Sequence, residues 1–127
     1  MAAEFMAKHD ARTLKAKYAL ATNGSKTERG GEVATASTGM EISGHRIACV
    51  GDVLHYPDGT ESKIVSGAGA TLAYKAQPMA IVGSATDNGD TIISSLQSSS
   101  QIREYAADAS IPGLLQPGYM APRGGHA

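Results

Sequence analysis

Apolar residues along the chain fall in short runs separated by Gly, Pro, Asn and Asp, a pattern that predicts many short strands joined by turns. The runs place strands at Tyr18 to Thr22, Glu32 to Ser37, Met40 to Ser43, Arg46 to Val50, Lys63 to Ser66, Ala70 to Lys75, Met79 to Val82 and Thr91 to Ser95. Asn23-Gly24, Pro57-Asp58-Gly59 and the Asp87 to Asp90 sequence DNGD supply the turn chemistry between them.

One pattern is written twice. Gly30 to Asp52 lies over Ser62 to Ser84 at a fixed offset of 32 residues without a gap, pairing Val33 with Val65, Ala36 with Ala68, Met40 with Leu72 and Ile42 with Tyr74. It also pairs Ala48 with Ala80, Val50 with Val82 and Gly51 with Gly83, so small and apolar positions coincide while polar ones vary. Such an offset marks repeated supersecondary units. Each unit reads as three short strands, with a Gly or Ala turn between them and a closing Val-Gly.

The two ends look different. Met1 to Phe5 read as a vector-derived leader, and the polar residues 7–17 as a flexible lead-in with too few apolar positions to bury a face. After the serine-rich 94–101, only 102–107 has helical character, and three prolines with a Gly-Gly pair break the rest. The expected division is therefore 1–17 lead-in, 18–97 β-repeat domain and 98–127 irregular tail, pinned in part by Leu114, Leu115 and Tyr119.

Composition sharpens this picture. With 127 residues the chain makes one domain with a small core. No Trp, one Phe and 15 Gly mean that Val, Ile, Ala and Met must pack close to the backbone, which favours compact β-structure. Eleven basic against 12 acidic residues, without runs of either sign, argue against nucleic acid and acidic membranes as partners. Cys49 is the single cysteine, so the fold cannot rest on an intrachain disulfide. No stretch has the length of a membrane helix or the pattern of a signal peptide.

The motifs Arg46-Ile47-Ala48-Cys49-Val50-Gly51-Asp52 and Pro78-Met79-Ala80-Ile81-Val82-Gly83-Ser84, with Ile64-Val65-Ser66-Gly67 between them, resemble those of PAAR-repeat proteins over Tyr18 to Ser95. The literal tetrapeptide is absent; Pro78-Met79-Ala80-Ile81 keeps its first and third letters. The resemblance implies a small all-β cone of short hairpins in a rough threefold arrangement. Its base would dock, one copy per trimer, on the blunt end of a trimeric VgrG-type β-helical spike of type VI secretion or a contractile phage tail. The apex would lead in mechanical piercing of a target membrane. Such a tip would reside in the cytoplasm before firing and leave the cell on the spike without a signal peptide. The repeat gives its own reason for such docking, because similar strand edges can meet a threefold partner by strand addition.

The resemblance also implies a zinc ion near the apex. The family's ligand positions fall here on Arg29, His55, Asp58 and about Asn88, of which His55 is the one credible ligand. The chain itself offers His45-x3-Cys49-x5-His55, three candidate metal ligands within eleven residues. Zinc requires a fourth, from His9, His126 or water. A small zinc-binding β-domain without a spike partner is thus the alternative reading, and solvated or locally bonded side chains the plain one. No hydrolase elbow, phosphate loop or metalloprotease motif is present, and DNGD lacks the spacing of a calcium loop. A Cys49 nucleophile with His45 or His55 as base would lack a substrate cleft. The expectation is a structural protein and not an enzyme.

Overall fold

The computed structural model describes residues 14–107 and 109–120. Among them there is no helix. The chain forms β1 (Leu14–Ala19), β2 (Glu32–Val33), β3 (Glu41–Ile42), β4 (His45–Arg46), β5 (Val53–His55), β6 (Glu61–Lys63), β7 (Ala73–Tyr74), β8 (Gln77–Pro78) and β9 (Gln101–Tyr105). All pairings are antiparallel: β1 with β9, β5 between β2 and β6, β3 with β4, and β7 with β8. The fold is all-β, as the turn-rich pattern predicts.

The 32-residue offset recurs in the hydrogen bonds. Hairpins β3–β4 and β7–β8 are two-residue turns in which Ser43 and Gly44, or Lys75 and Ala76, all have positive φ. That geometry matches the right-handed twist of the flanking strands. Beyond the hairpins, the Ile47 amide donates to the Met40 carbonyl at 2.8 Å and the Met79 amide to the Leu72 carbonyl at 3.0 Å. The Leu20 amide makes the corresponding bond to the Ser100 carbonyl at 3.1 Å. A third hairpin-like pair is therefore assembled from β1 and β9, the first and last strands.

This corrects two expectations. Residues 14–17, read as part of a flexible lead-in, belong to a strand, and its partner is Gln101–Tyr105, in the expected irregular tail with residues 102–107 read as faintly helical. The predicted strand from Tyr18 captures only the end of β1, and β9 alone is too polar to predict; Tyr18 opposite Ile102 joins the pair to the core. The rest of the lead-in lies outside the described residues. The segment 111–118 is also fastened: the Ala70 amide donates to the Pro112 carbonyl, the Leu115 amide to the Gly67 carbonyl, and the Gly118 amide to the Val65 carbonyl. Leu114 and Leu115 pack on the core, as expected of them.

Three short corners then carry the chain out of these hairpins. At Thr22 to Ser25, Cys49 to Asp52 and Ile81 to Ser84, the fourth amide donates to the first carbonyl at 2.9, 3.0 and 2.9 Å. The fourth side chain accepts back from the first amide at 2.9, 2.8 and 2.9 Å. The third residue is Gly24, Gly51 or Gly83, with φ of +91°, +98° and +107°, a region that disfavours any side chain. Each corner opens a hairpin prong: 25–33, 52–64 and 84–92.

The prongs lean on one another in a closed cycle. The Ile93 amide donates to the Lys26 carbonyl, Ala34 to Val53, and Val65 to Ala85. The alanines at the hearts of the three motifs do the same, Ala21 to Ala80, Ala80 to Ala48 and Ala48 to Ala21, at 2.9, 2.9 and 3.0 Å. All three are fully buried, since any larger side chain there would push the backbones apart. Val33, Leu54, Ile64 and Ile92 from the prongs close one core cluster around them. Leu20, Ile47, Met79, Ile81 and Ile102 form a second, with Ile42 and Tyr74 packed on it.

Candidate docking face and converging prong tips

Two regions of the molecule carry more than packing. The first is the set of hairpin bases. Met40 and Leu72 occupy corresponding places in two of the three, and both leave apolar surface in solvent at 41% and 36% exposure. Their third counterpart is Ser100. The six repeated apolar residues thus divide clearly: Val33 is core, Val65, Ile42 and Tyr74 are half-buried, and Met40 and Leu72 face out.

The carbonyl two residues before each corner is satisfied by a different device. Ile47 accepts the Thr38 hydroxyl at 2.7 Å, Met79 accepts the Ala68 amide at 2.8 Å, and Leu20 accepts both Ser95 and Gln97 side chains at 2.7 and 2.8 Å. Gln97 is buried and also takes the Ser100 amide at 2.9 Å, so the serine-rich stretch is a bonded part of the domain.

The second region is where the prong tips meet. The first and third tips share one design. Thr27 and Thr86 bond across to Gly31 and Asp90, amide to carbonyl, at 2.9 and 3.0 Å. Their hydroxyls also accept the Gly31 and Asp90 amides, at 2.7 and 3.0 Å. The second prong is longer and places Tyr56 at the corresponding position, with its amide on the Thr60 carbonyl at 3.0 Å.

Tyr56 joins the other two. Its ring lies so close to Gly31 that a β-carbon there would sit 2.7 Å from it. Its hydroxyl donates to Asp90 Oδ2 at 2.8 Å and stands 3.2 Å from the Ser62 hydroxyl.

Asp90 is 1% exposed. Its Oδ1 accepts the Arg29 amide at 3.1 Å and the Thr91 amide at 2.8 Å. Burial pushes its pKa up, but the bonds from Thr27, Tyr56, Thr91 and Arg29 outweigh this and hold the carboxyl below its usual range. The Arg29 guanidinium adds a bond to the Asn88 carbonyl at 3.0 Å. Sequence reasoning missed this centre. The available signal was a second offset that lays Thr27-Glu28-Arg29-Gly30-Gly31 over Thr86-Asp87-Asn88-Gly89-Asp90.

The sequence-derived metal candidates stand in different surroundings. His45 is half-buried at the start of β4. Cys49 is buried at the second corner, its sulfur 3.3 Å from the Ser37 hydroxyl. Burial and the neighbouring Asp52 carboxylate push the thiol up, against the Ser37 bond, which is the reverse of an activated nucleophile. His55 is exposed on β5, with Nε2 3.1 Å from Glu61 Oε2 across the β5–β6 pair. Among the described residues no three His, Cys, Asp or Glu side chains form a group that could hold a metal ion. His9 and His126 lie outside the described residues.

The family model of the PAAR motif matches residues 23–94. No curated protein and no solved structure matches the chain.

Proposed function

Since the chain belongs to the PAAR-motif family, we propose that it is the structural tip of a contractile secretion or phage-like spike, seated on the blunt end of a trimeric VgrG-type β-helix. The observation that carries this reading is the cyclic hydrogen bonding of Ala21, Ala48 and Ala80, with three hairpin bases following one pattern around it. A single chain that meets a threefold partner needs three similar edges, and this is a covalent way of making them.

The hairpin bases, with Met40 and Leu72 exposed, form the seat, and unpaired strand edges there extend the partner's β-structure. The prongs then form the leading end, which contacts the target membrane in passing. The protein waits in the cytoplasm and leaves with the spike.

Light scattering coupled to size-exclusion chromatography tests the proposal, with the protein mixed with a soluble trimeric β-helix fragment of a VgrG-type spike. Co-elution at one copy per trimer is expected, and Met40→Asp together with Leu72→Asp abolishes it. Separate elution from several such spikes would overturn the reading and bring forward the small zinc-binding β-domain.

A further inference from the structure

We propose that the three prong tips are locked by a metal-free clamp centred on Asp90, built in the region to which family resemblance assigns zinc ligands. The proposal is independent of spike docking, since it concerns what holds the leading end together.

A carboxylate offers about four lone-pair sites. Asp90 fills three of them with the Arg29 amide, the Thr91 amide and the Tyr56 hydroxyl. These donors come from all three prongs: Arg29 from the first, Tyr56 from the second, Thr91 from the third. One buried carboxylate therefore ties three loops, which is what a metal ion does in a small domain with little core.

The family's ligand positions are committed elsewhere. Arg29 places a guanidinium on the Asn88 carbonyl, and a fixed positive charge at the tips opposes a dication. Asp58 caps its own turn through the Thr60 amide and hydroxyl at 3.0 and 2.7 Å. His55 faces Glu61. Gly31 completes the fit, because the Tyr56 ring takes the space that a side chain at the position corresponding to Asp90 would fill.

The test uses the full chain. Elemental analysis after purification in zinc-supplemented buffer is expected to find no stoichiometric metal, and excess EDTA leaves the melting temperature unchanged. Tyr56→Phe removes one clamp bond and lowers the melting temperature by about 4–8 °C. Amide exchange at Arg29 and Thr91 quickens in that variant, while the Ala21, Ala48 and Ala80 amides keep their protection.

A cycle with Asp90→Asn shows the two changes to be less than additive. Should Asp90→Asn not fold, Gly31→Ala takes its place in the cycle, because its β-carbon displaces the same ring. Stoichiometric zinc whose removal lowers the melting temperature would overturn the proposal. So would a Tyr56→Phe variant that melts and exchanges like the parent.

Discussion

The Leu20 amide donates to the Ser100 carbonyl at 3.1 Å, joining residues 80 positions apart in a bond that Ile47 and Met40, or Met79 and Leu72, make locally. The third member of the set is thus long-range where the other two are hairpins. Stability should accordingly be most sensitive at this seam.

Ile102, on β9, is 4% exposed and lies in the second core cluster. Ile102→Ala removes buried methyl groups and leaves a cavity, at a cost of about 2–4 kcal/mol. Urea denaturation is the check, with Ile93→Ala, at an exposed site, as the control expected to change little.

A change of opposite sign is expected at Ala76. Its φ is +71°, in a turn where the corresponding residue of the other hairpin is Gly44. Ala76→Gly relieves the left-handed strain and should stabilise the protein by about 1 kcal/mol. An unchanged or lowered midpoint in the same urea titration would contradict the turn geometry.

Asp90 sets an acid limit. Its folded-state pKa is depressed, so its contribution is present above the unfolded value of about 3.9 and is lost as pH falls through the lower folded value. The melting-temperature gap between the parent and Asp90→Asn should be widest near neutral pH. It should narrow steadily below about pH 4. A gap that stays constant to pH 2 would show that the carboxylate charge is not what the donors hold.

Cys49 should resist alkylation in the native protein. Burial and the Asp52 carboxylate hold the thiol above its ordinary pKa, so the thiolate is scarce as well as covered. Iodoacetamide at pH 8 is expected to label it only in denaturant, as read by mass spectrometry. Rapid native labelling would reopen the case for a reactive cysteine.

Much of the domain was legible from residue order. Hairpins β3–β4 and β7–β8 fall where the apolar runs and turn residues place strand, turn and strand, because tight turns demand glycines and small residues. The third copy was legible too, at a different spacing: Ala19-Leu20-Ala21-Thr22-Asn23-Gly24-Ser25 aligns with Arg46 to Asp52 and Pro78 to Ser84. Its Asn-Gly reads locally as a tight hairpin turn, which hides the correspondence.

The β1–β9 pair stayed hidden for another reason. The lysines of Leu14–Ala19 and the polar residues of Gln101–Tyr105 mask these strands, and what defines them is a partner more than 80 residues away. Periodicity carries no information about such a partner. The Asp90 clamp likewise depends on three loops meeting, and the second Asp of a turn sequence such as DNGD gives no hint of burial. The trio His45, Cys49 and His55 is close along the chain, yet one lies on β4, one in a corner and one on β5, because the corner at Cys49 to Asp52 redirects the backbone between them.

The seam between β1 and β9 also governs the order in which the molecule can be made. Tyr18 leaves the ribosome long before Ile102, its partner in the register, and must wait while both local hairpins and all three prongs form. Contacts of such sequence separation slow the final step of folding, because the chain between them must already be arranged. A nascent chain halted before β9 would hold two finished hairpins and an unmatched strand. The ring can therefore close only after β9 has been made.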